Sequence, residues 1–266
     1  MIKSKQINAK PRRHAQGVNL AMALNERQNG ILAILKESKR ADVAKLAKAL
    51  FVSEATIRRD LAEMKSMGLI ERSHGGALLP ENAEEISIFF RMEKNAREKE
   101  KAATKALPHI PYFKSVFIDS SSTVLALAER MDLNFKTVVT NNLQTAIQLS
   151  KKPNLNLILL GGNVQYNTNS ATGSWTTRQL TGFSFDLMLS SCAAVIGNES
   201  FERSLDQKEL KRVAFQRSKK KILIIDHTKF DASATYRLTS LDQYDMVITD
   251  APPPAIEGEE KINFIY

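Results

Sequence analysis

The chain has 266 residues, enough for one large domain or for a small one joined to a medium one, and its apolar fraction of 43% is ordinary for a protein that buries a core. Its net charge of +9 is unevenly spread: residues 1–80 hold 15 Lys and Arg against 7 Asp and Glu, while residues 81–266 hold 23 against 22. That asymmetry points to a polyanion-binding segment joined to a neutral globular one. It goes with a single cysteine, Cys192, which excludes an intrachain disulfide framework and fits a reducing, cytoplasmic setting, and no apolar run approaches the ~20 residues of a membrane span.

Residues 1–24 carry Lys3, Lys5, Lys10, Arg12 and Arg13 around Pro11, without the apolar run of a secretory signal. They read as a disordered basic arm. An arm that touches DNA phosphates is the sharper alternative, and a mitochondrial-type leader a third.

Residues 25–80 carry the pattern of a winged helix-turn-helix. Asn25 can cap a helix whose Ile31, Leu32, Ile34 and Leu35 recur at helical spacing. Asp42 can cap a second, with Val43, Leu46, Ala47 and Leu50 on one face. Only Phe51 and Val52 separate it from Ser53, the cap of a third helix with Ile57, Leu61 and Met64 in one buried stripe. Glu54, Ala55, Arg58, Arg59 and Ala62 then face outward. Arginine forks can grip guanine edges or phosphates, and Ser53 and Thr56 lie in the turn that enters the major groove in this motif. Gly68 is the expected C-cap. Leu69–Arg72 and Ala77–Leu79 read as two strands around a Ser73-His74-Gly75-Gly76 turn, a wing that can lie along the duplex. His74 by itself is a turn residue more often than a ligand, and neither a metal site nor a cofactor is expected.

Val52-Ser53, Thr56-Ile57-Arg58-Arg59-Asp60-Leu61, Gly68 and Arg72-Ser73-His74-Gly75-Gly76-Ala77 resemble the signature of DeoR-family transcription regulators. The resemblance implies an operator-binding winged helix and, usually, repression. The DNA-binding candidates are Ser53, Glu54, Thr56, Arg58, Arg59, Arg72, His74 and Gly75, and the partner is operator double-stranded DNA.

Pro80 to about Glu85 is polar and acidic, a linker, and a Lys- and Glu-rich helix follows over about Ser87–Leu107, so residues 81–110 form the linker and connecting helix. Over 111–266, apolar runs alternate with amphipathic helices near 123–131, 142–151 and 206–219. The runs are Val116–Ile118, Thr137–Thr140, Leu155–Leu160, Leu187–Leu189, Ile222–Ile225 and Met246–Ile248. Continuous apolar strands alternating with helices predict a mostly parallel, Rossmann-like sheet covered on both faces.

Ligands bind such sheets beyond the carboxyl ends of the strands. That rule selects Asp119-Ser120-Ser121-Ser122-Thr123, Thr140-Asn141-Asn142, Gly161-Gly162-Asn163 and Asp226-His227-Thr228-Lys229. Any one of these is as readily an ordinary cap or turn. The family resemblance continues through Arg91, Asn95 and Lys99, Asp119, Thr140-Asn141, Gly161-Gly162, Gly173, Lys211, Asp226, Lys229-Phe230 and Ile248-Thr249-Asp250. It implies an effector domain similar in fold to sugar-phosphate isomerases, with a phosphorylated sugar as ligand. On that analogy Asp119–Thr123 would hold phosphate, Lys229 and Lys211 would belong to the site, and Asp119, Asn141 and Asp226 would face hydroxyls. Two positions depart from the family pattern: Ser121 stands where glycine is usual, and Gln207 where glutamate is usual.

The expectation is a DNA-binding regulator of carbohydrate metabolism, a homodimer or homotetramer without catalytic residues. The rivals are an isomerase-like enzyme with a DNA-binding head, for which Asp119, Asp226 and Lys229 would be the candidate bases, and a regulator whose pocket is degenerate.

Overall fold

The computed structural model describes residues 25–66, 69–78, 88–165 and 167–266. The arm expected over 1–24, the Gly68 cap and the linker after Pro80 lie outside those residues.

The first unit contains α1 (Glu26–Ser38), β1 (Arg40–Asp42), α2 (Val43–Ala49), α3 (Glu54–Ser66), β2 (Glu71–Ser73) and β3 (Gly76–Leu78). Asn25 and Gln28 form a reciprocal capping box at the start of α1. The Ser53 hydroxyl accepts from the Thr56 amide at 3.2 Å and starts α3. Ile57, Leu61 and Met64 are fully buried against Ile31, Leu35 and Leu46, so the helical stripe read from sequence is the core of this unit.

The wing has a third strand that the sequence reading missed, since β1 pairs with β3. This also corrects Asp42. It occupies the N-cap position of α2, but its side chain makes no capping bond; the Val43 amide donates instead to the Gly75 carbonyl at 2.8 Å. The two wing glycines serve different needs. Gly75 has φ of +78°, whereas a Cβ on Gly76 would lie 2.2 Å from the Ala41 carbonyl oxygen on β1.

The connecting helix is two helices, α4 (Ile88–Glu93) and α5 (Ala96–Ala106), broken at Asn95, whose φ is +54°. Next come β4 (Ser115–Ile118), α6 (Ser122–Arg130), β5 (Thr137–Thr140), α7 (Leu143–Leu149) and β6 (Asn156–Leu159). A hairpin, β7 (Asn163–Gln165) and β8 (Ser170–Thr172), leads into α8 (Ser174–Leu180) and β9 (Phe185–Ser190). The remainder is β10 (Ala194–Ile196), β11 (Glu199–Glu202), α9 (Leu205–Gln216), β12 (Ser218–Ile225), β13 (Tyr236–Ser240), β14 (Met246–Thr249) and β15 (Phe264–Ile265).

Seven strands form one parallel sheet in the order β15-β14-β12-β9-β4-β5-β6. Alternate residues of β4 enter different cores: Val116 and Ile118 pack with Ala102, Ala106 and Leu127, and Phe117 packs with Leu180, Phe185 and Leu210. Both faces are therefore covered, which is why the strands read as unbroken apolar runs. Sequence order runs one way from β4 through β5 to β6 and the other way from β9 through β12, so the topological switch point lies between β4 and β9. The helix expected over 206–219 ends at Gln216, and Ser218–Lys221 extend β12, with Lys219 and Lys220 paired outward to Asp186 and Asp245.

Candidate functional site

The DNA-facing candidates are where their spacing put them. Glu54, Arg58 and Arg59 are exposed on α3, Arg72 on β2, and His74 and Gly75 at the wing tip. Arg58 is held by Glu54 one turn away at 2.6 Å. Ser53 and Thr56 also bond hydroxyl to hydroxyl at 2.9 Å, so both have a structural duty in the first turn.

Sequence reading missed what aims this helix. Asp60 is buried on α3 and takes a two-pronged bond from Arg27 of α1, while Gln28 donates to Glu63 at 2.8 Å. These bonds tie α1 to α3 and neutralise a buried carboxylate on α3. The available signal was an aspartate three residues beyond Ile57, on the buried face.

At the carboxyl end of the sheet, beside the switch point, lies a cavity of about 490 Å3. One wall is the loop after β4 and the start of α6, Ser120 to Thr123. Connector residues Arg91, Lys94, Asn95 and Lys99 form a second wall, continued by Arg203, Thr228 and Lys229, with Asn95 bonded to Thr228. The floor carries Ser191, Glu202 and Lys211. Six cations line the cavity against the carboxylates Glu202 and Asp231.

Lys211, on α9, reaches Asp119 at 2.8 Å, Glu202 at 2.7 Å and the Ser191 carbonyl at 2.8 Å. Burial works against its charge, but the two carboxylates hold its pKa above the usual lysine value. Burial opposes the Asp119 charge too, yet Lys211 and the surrounding hydrogen bonds keep that carboxyl below its ordinary value. Glu202, where burial outweighs Lys211, is pushed up. Burial and the nearby Lys229 push Lys99 down to about 7, and burial lowers Lys229 as well.

The connector is stitched to this cavity. Lys99 donates to the carbonyls of Arg91 and Lys94, Ser122 donates to the Arg91 carbonyl at 3.2 Å, and Asn95 donates to Thr228 at 2.8 Å.

Of the twelve effector candidates, the cavity wall contains Ser120, Ser121, Ser122, Thr123, Lys211 and Lys229. The other six lie off it. Asp119 is buried beneath the floor as the partner of Lys211 and of the Ser190 and Ser191 hydrogen bonds. Thr140 accepts from the Asn142 amide in a local turn, and Asn141 donates to the Ala171 carbonyl and so braces β8. Gly161 accepts from Thr176 and Gln179, and a Cβ on Gly162 would lie 1.9 Å from the Thr176 hydroxyl; these glycines let α8 close on the end of β6. Asp226 is buried and accepts from Thr228.

The two departures from the family pattern are accommodated. Ser121 has φ of −86°, so no glycine is needed, and its hydroxyl caps α6 by accepting from the Val124 amide. Gln207 accepts from Ser120 at 3.2 Å and donates to Ser170 at 2.7 Å, a two-way link that a carboxylate could not make. Among the described residues no cluster of His, Cys, Asp and Glu is placed to hold a metal.

Residues 27–83 match the model of the DeoR-like helix-turn-helix domain, and residues 94–251 that of the DeoR C terminal sensor domain. The HTH-type transcriptional regulator GolR of Listeria innocua is 34% identical over 85% of this chain and 90% of its own. The glycerol-3-phosphate regulon repressor of Escherichia coli is 33% identical over 88% and 93%, and the HTH-type transcriptional repressor GlcR of Bacillus subtilis 30% identical over 87% and 90%. A ribose 5 phosphate isomerase A from Neisseria gonorrhoeae superposes with a TM-score of 0.35 at 14% identity over 50% of this chain and 52% of its own, a likeness too loose to bear on chemistry. With a matched DNA-binding unit and a matched sensor unit in one polypeptide, the chain belongs to the DeoR family of transcription regulators.

Proposed function

We propose that the protein represses a carbohydrate operon and that a phosphorylated sugar, seated in the cavity beside the β4–β9 switch point, controls its hold on operator DNA. The observation that carries this reading is the excess of basic residues in one cavity: Arg91, Lys94, Lys99, Arg203, Lys211 and Lys229 line it against two carboxylates, Glu202 and Asp231. Phosphate is the metabolite group that suits such a surplus. The name of the E. coli relative, a glycerol-3-phosphate regulon repressor, points the same way.

The connector supplies the route to DNA. Residues 88–99 form one cavity wall and lead back in sequence to the winged helix. A ligand that fits one arrangement of this wall better than another shifts the balance between two states of the regulator. The protein works as a cytoplasmic homodimer or homotetramer, since paired half-sites give the discrimination that one winged helix lacks. It binds its ligand without turning it over: Asp119 and Asp226, the candidate carboxylate bases, are fully buried and lie off the cavity lining, and Asp119 is paired with Lys211.

The test is a thermal-shift screen of the full chain against triose, pentose and hexose phosphates, with product analysis of each mixture. A ligand at ~100 times its dissociation constant should stabilise the fold by ~2.7 kcal/mol. Stabilisation without turnover supports a sensor, turnover supports an enzyme, and no stabilisation by any sugar phosphate supports a degenerate pocket.

A further inference from the structure

Ser191 follows β9, the strand beside β4 at the switch point, and lines the cavity floor. Its residue is 2% exposed, and its hydroxyl is buried without a hydrogen-bond partner. The backbone cannot move to find one, because it is fully engaged. The Ser191 amide donates to Asp119 at 2.9 Å, and its carbonyl accepts from Lys211 at 2.8 Å. Neighbouring hydroxyls of the wall are paired: Ser120 with Gln207, Ser122 with the Arg91 carbonyl, and Thr168 with Ser170. A buried hydroxyl left unpaired costs free energy, so one on a residue that lines a cavity marks a place where something else completes the bond.

The charge around Ser191 selects what that is. Lys211 is bonded to both Asp119 and Glu202, so its charge at the floor is already shared between two carboxylates. A phosphate is disfavoured there and favoured at the wall of Arg91, Lys94 and Lys229. A neutral hydroxyl, which both donates and accepts, suits the floor.

We propose that the Ser191 hydroxyl binds a hydroxyl on the polyol end of the ligand, so that the ligand lies with its phosphate on the cationic wall and its sugar carbons reaching the floor between β4 and β9. This assignment rests on the sugar-phosphate reading above and orients the ligand within it. It makes Ser191 a determinant of which sugar is accepted, while the cations secure any phosphate.

The test uses the full chain, with sn-glycerol 3-phosphate, fructose 1-phosphate, glucose 6-phosphate and inorganic phosphate as probes. Unfolding temperature without ligand and calorimetric affinity are measured for wild type, Ser191→Ala, Ser191→Cys and Lys229→Ala. Ser191→Ala should unfold no earlier than wild type, because no protein hydrogen bond is lost. Both Ser191 variants should lose about five- to tenfold in affinity for whichever sugar phosphates bind wild type, the effect of one hydrogen bond. Inorganic phosphate should bind them as it binds wild type, and Lys229→Ala should weaken both kinds of probe. Unchanged sugar-phosphate affinity in both Ser191 variants overturns the assignment, as does equal weakening of inorganic phosphate. So does a fall of several degrees in the unfolding temperature of unliganded Ser191→Ala, which would give the hydroxyl a structural partner. If no sugar phosphate binds wild type, the effector reading itself fails and the Ser191 assignment falls with it.

Discussion

Helix α3 and the cavity beside the switch point both gather lysine and arginine, in opposite physical settings. The Arg58 side chain is 58% exposed and shares its charge with Glu54 in water, whereas the Lys211 side chain is 5% exposed between two buried carboxylates. Exposed cations bind a polyanion by releasing its counterions, so salt governs them. Buried cations answer to desolvation and to their neighbours, so pH and the loss of a partner govern them. On the proposed function, one protein reads two anions, a duplex and a small phosphate, by mechanisms that respond to different solution conditions.

The sharpest way to break that contrast is Lys211→Met. It leaves Asp119 and Glu202 buried without their counter-ion, which should cost ~3–5 kcal/mol of stability by urea unfolding. A loss below ~1 kcal/mol, the range of exposed pairs, would place Lys211 in the same class as Arg58.

Arg58→Ala and Arg59→Ala should each weaken operator binding by ~1–3 kcal/mol without lowering the unfolding temperature. An operator chosen from a random duplex library serves for the titration. Binding should fall steeply with salt, and losing a phosphate contact should flatten the slope by about one unit. Unchanged affinity in both variants would remove α3 from the interface.

Lys99 sharpens the other half. Its pKa stands at about 7 in the fold against an ordinary 10.5. Across that window the unfolded chain holds a proton that the folded one has released, so unliganded stability should rise with pH from about 7 toward about 10. A bound anion favours the ammonium, so phosphosugar affinity should fall several-fold from about pH 7 to about pH 9, where the phosphate is already dianionic. Calorimetry on wild type and Lys99→Met tests this: an equal fall in the variant would assign the effect elsewhere.

The smallest effect belongs to Glu54→Ala. Removing this exposed partner of Arg58 should change stability by no more than ~0.5 kcal/mol and slightly tighten DNA binding. A larger destabilisation by chemical unfolding would mean that the pair is part of the fold.

The same difference between settings explains what could be read from the chain before its structure. Val116–Ile118 and Ile222–Ile225 are buried on both faces of a sheet, so composition alone marks them. Strand β7, Asn163–Gln165, is exposed throughout and carries no apolar signal, and β10, β11 and β13 form a small sheet of mixed residues packed against the main one. The strand-end rule found Ser120 to Thr123 and Lys229, because the local chain carries them to the cavity. It did not find Glu202 or Ser191 as floor residues, since only long-range packing brings β11 and the end of β9 under α9. Alternation in Glu199–Glu202, which turns Ser200 and Glu202 inward, was the one local hint. The rule also drew in Thr140, Asn141, Gly161 and Gly162, where the same residue types serve turns and braces.

The most direct test of a single cavity controlling DNA binding is an operator titration of wild type and Lys229→Ala, with and without the sugar phosphate that stabilises wild type most. Lys229 lies on the cavity wall after β12, away from the winged helix in sequence. Wild type should change its operator affinity when the ligand is added. Lys229→Ala should bind operator as wild type does without ligand and fail to respond to ligand. A full wild-type response from Lys229→Ala would contradict the assignment of this cavity as the effector site.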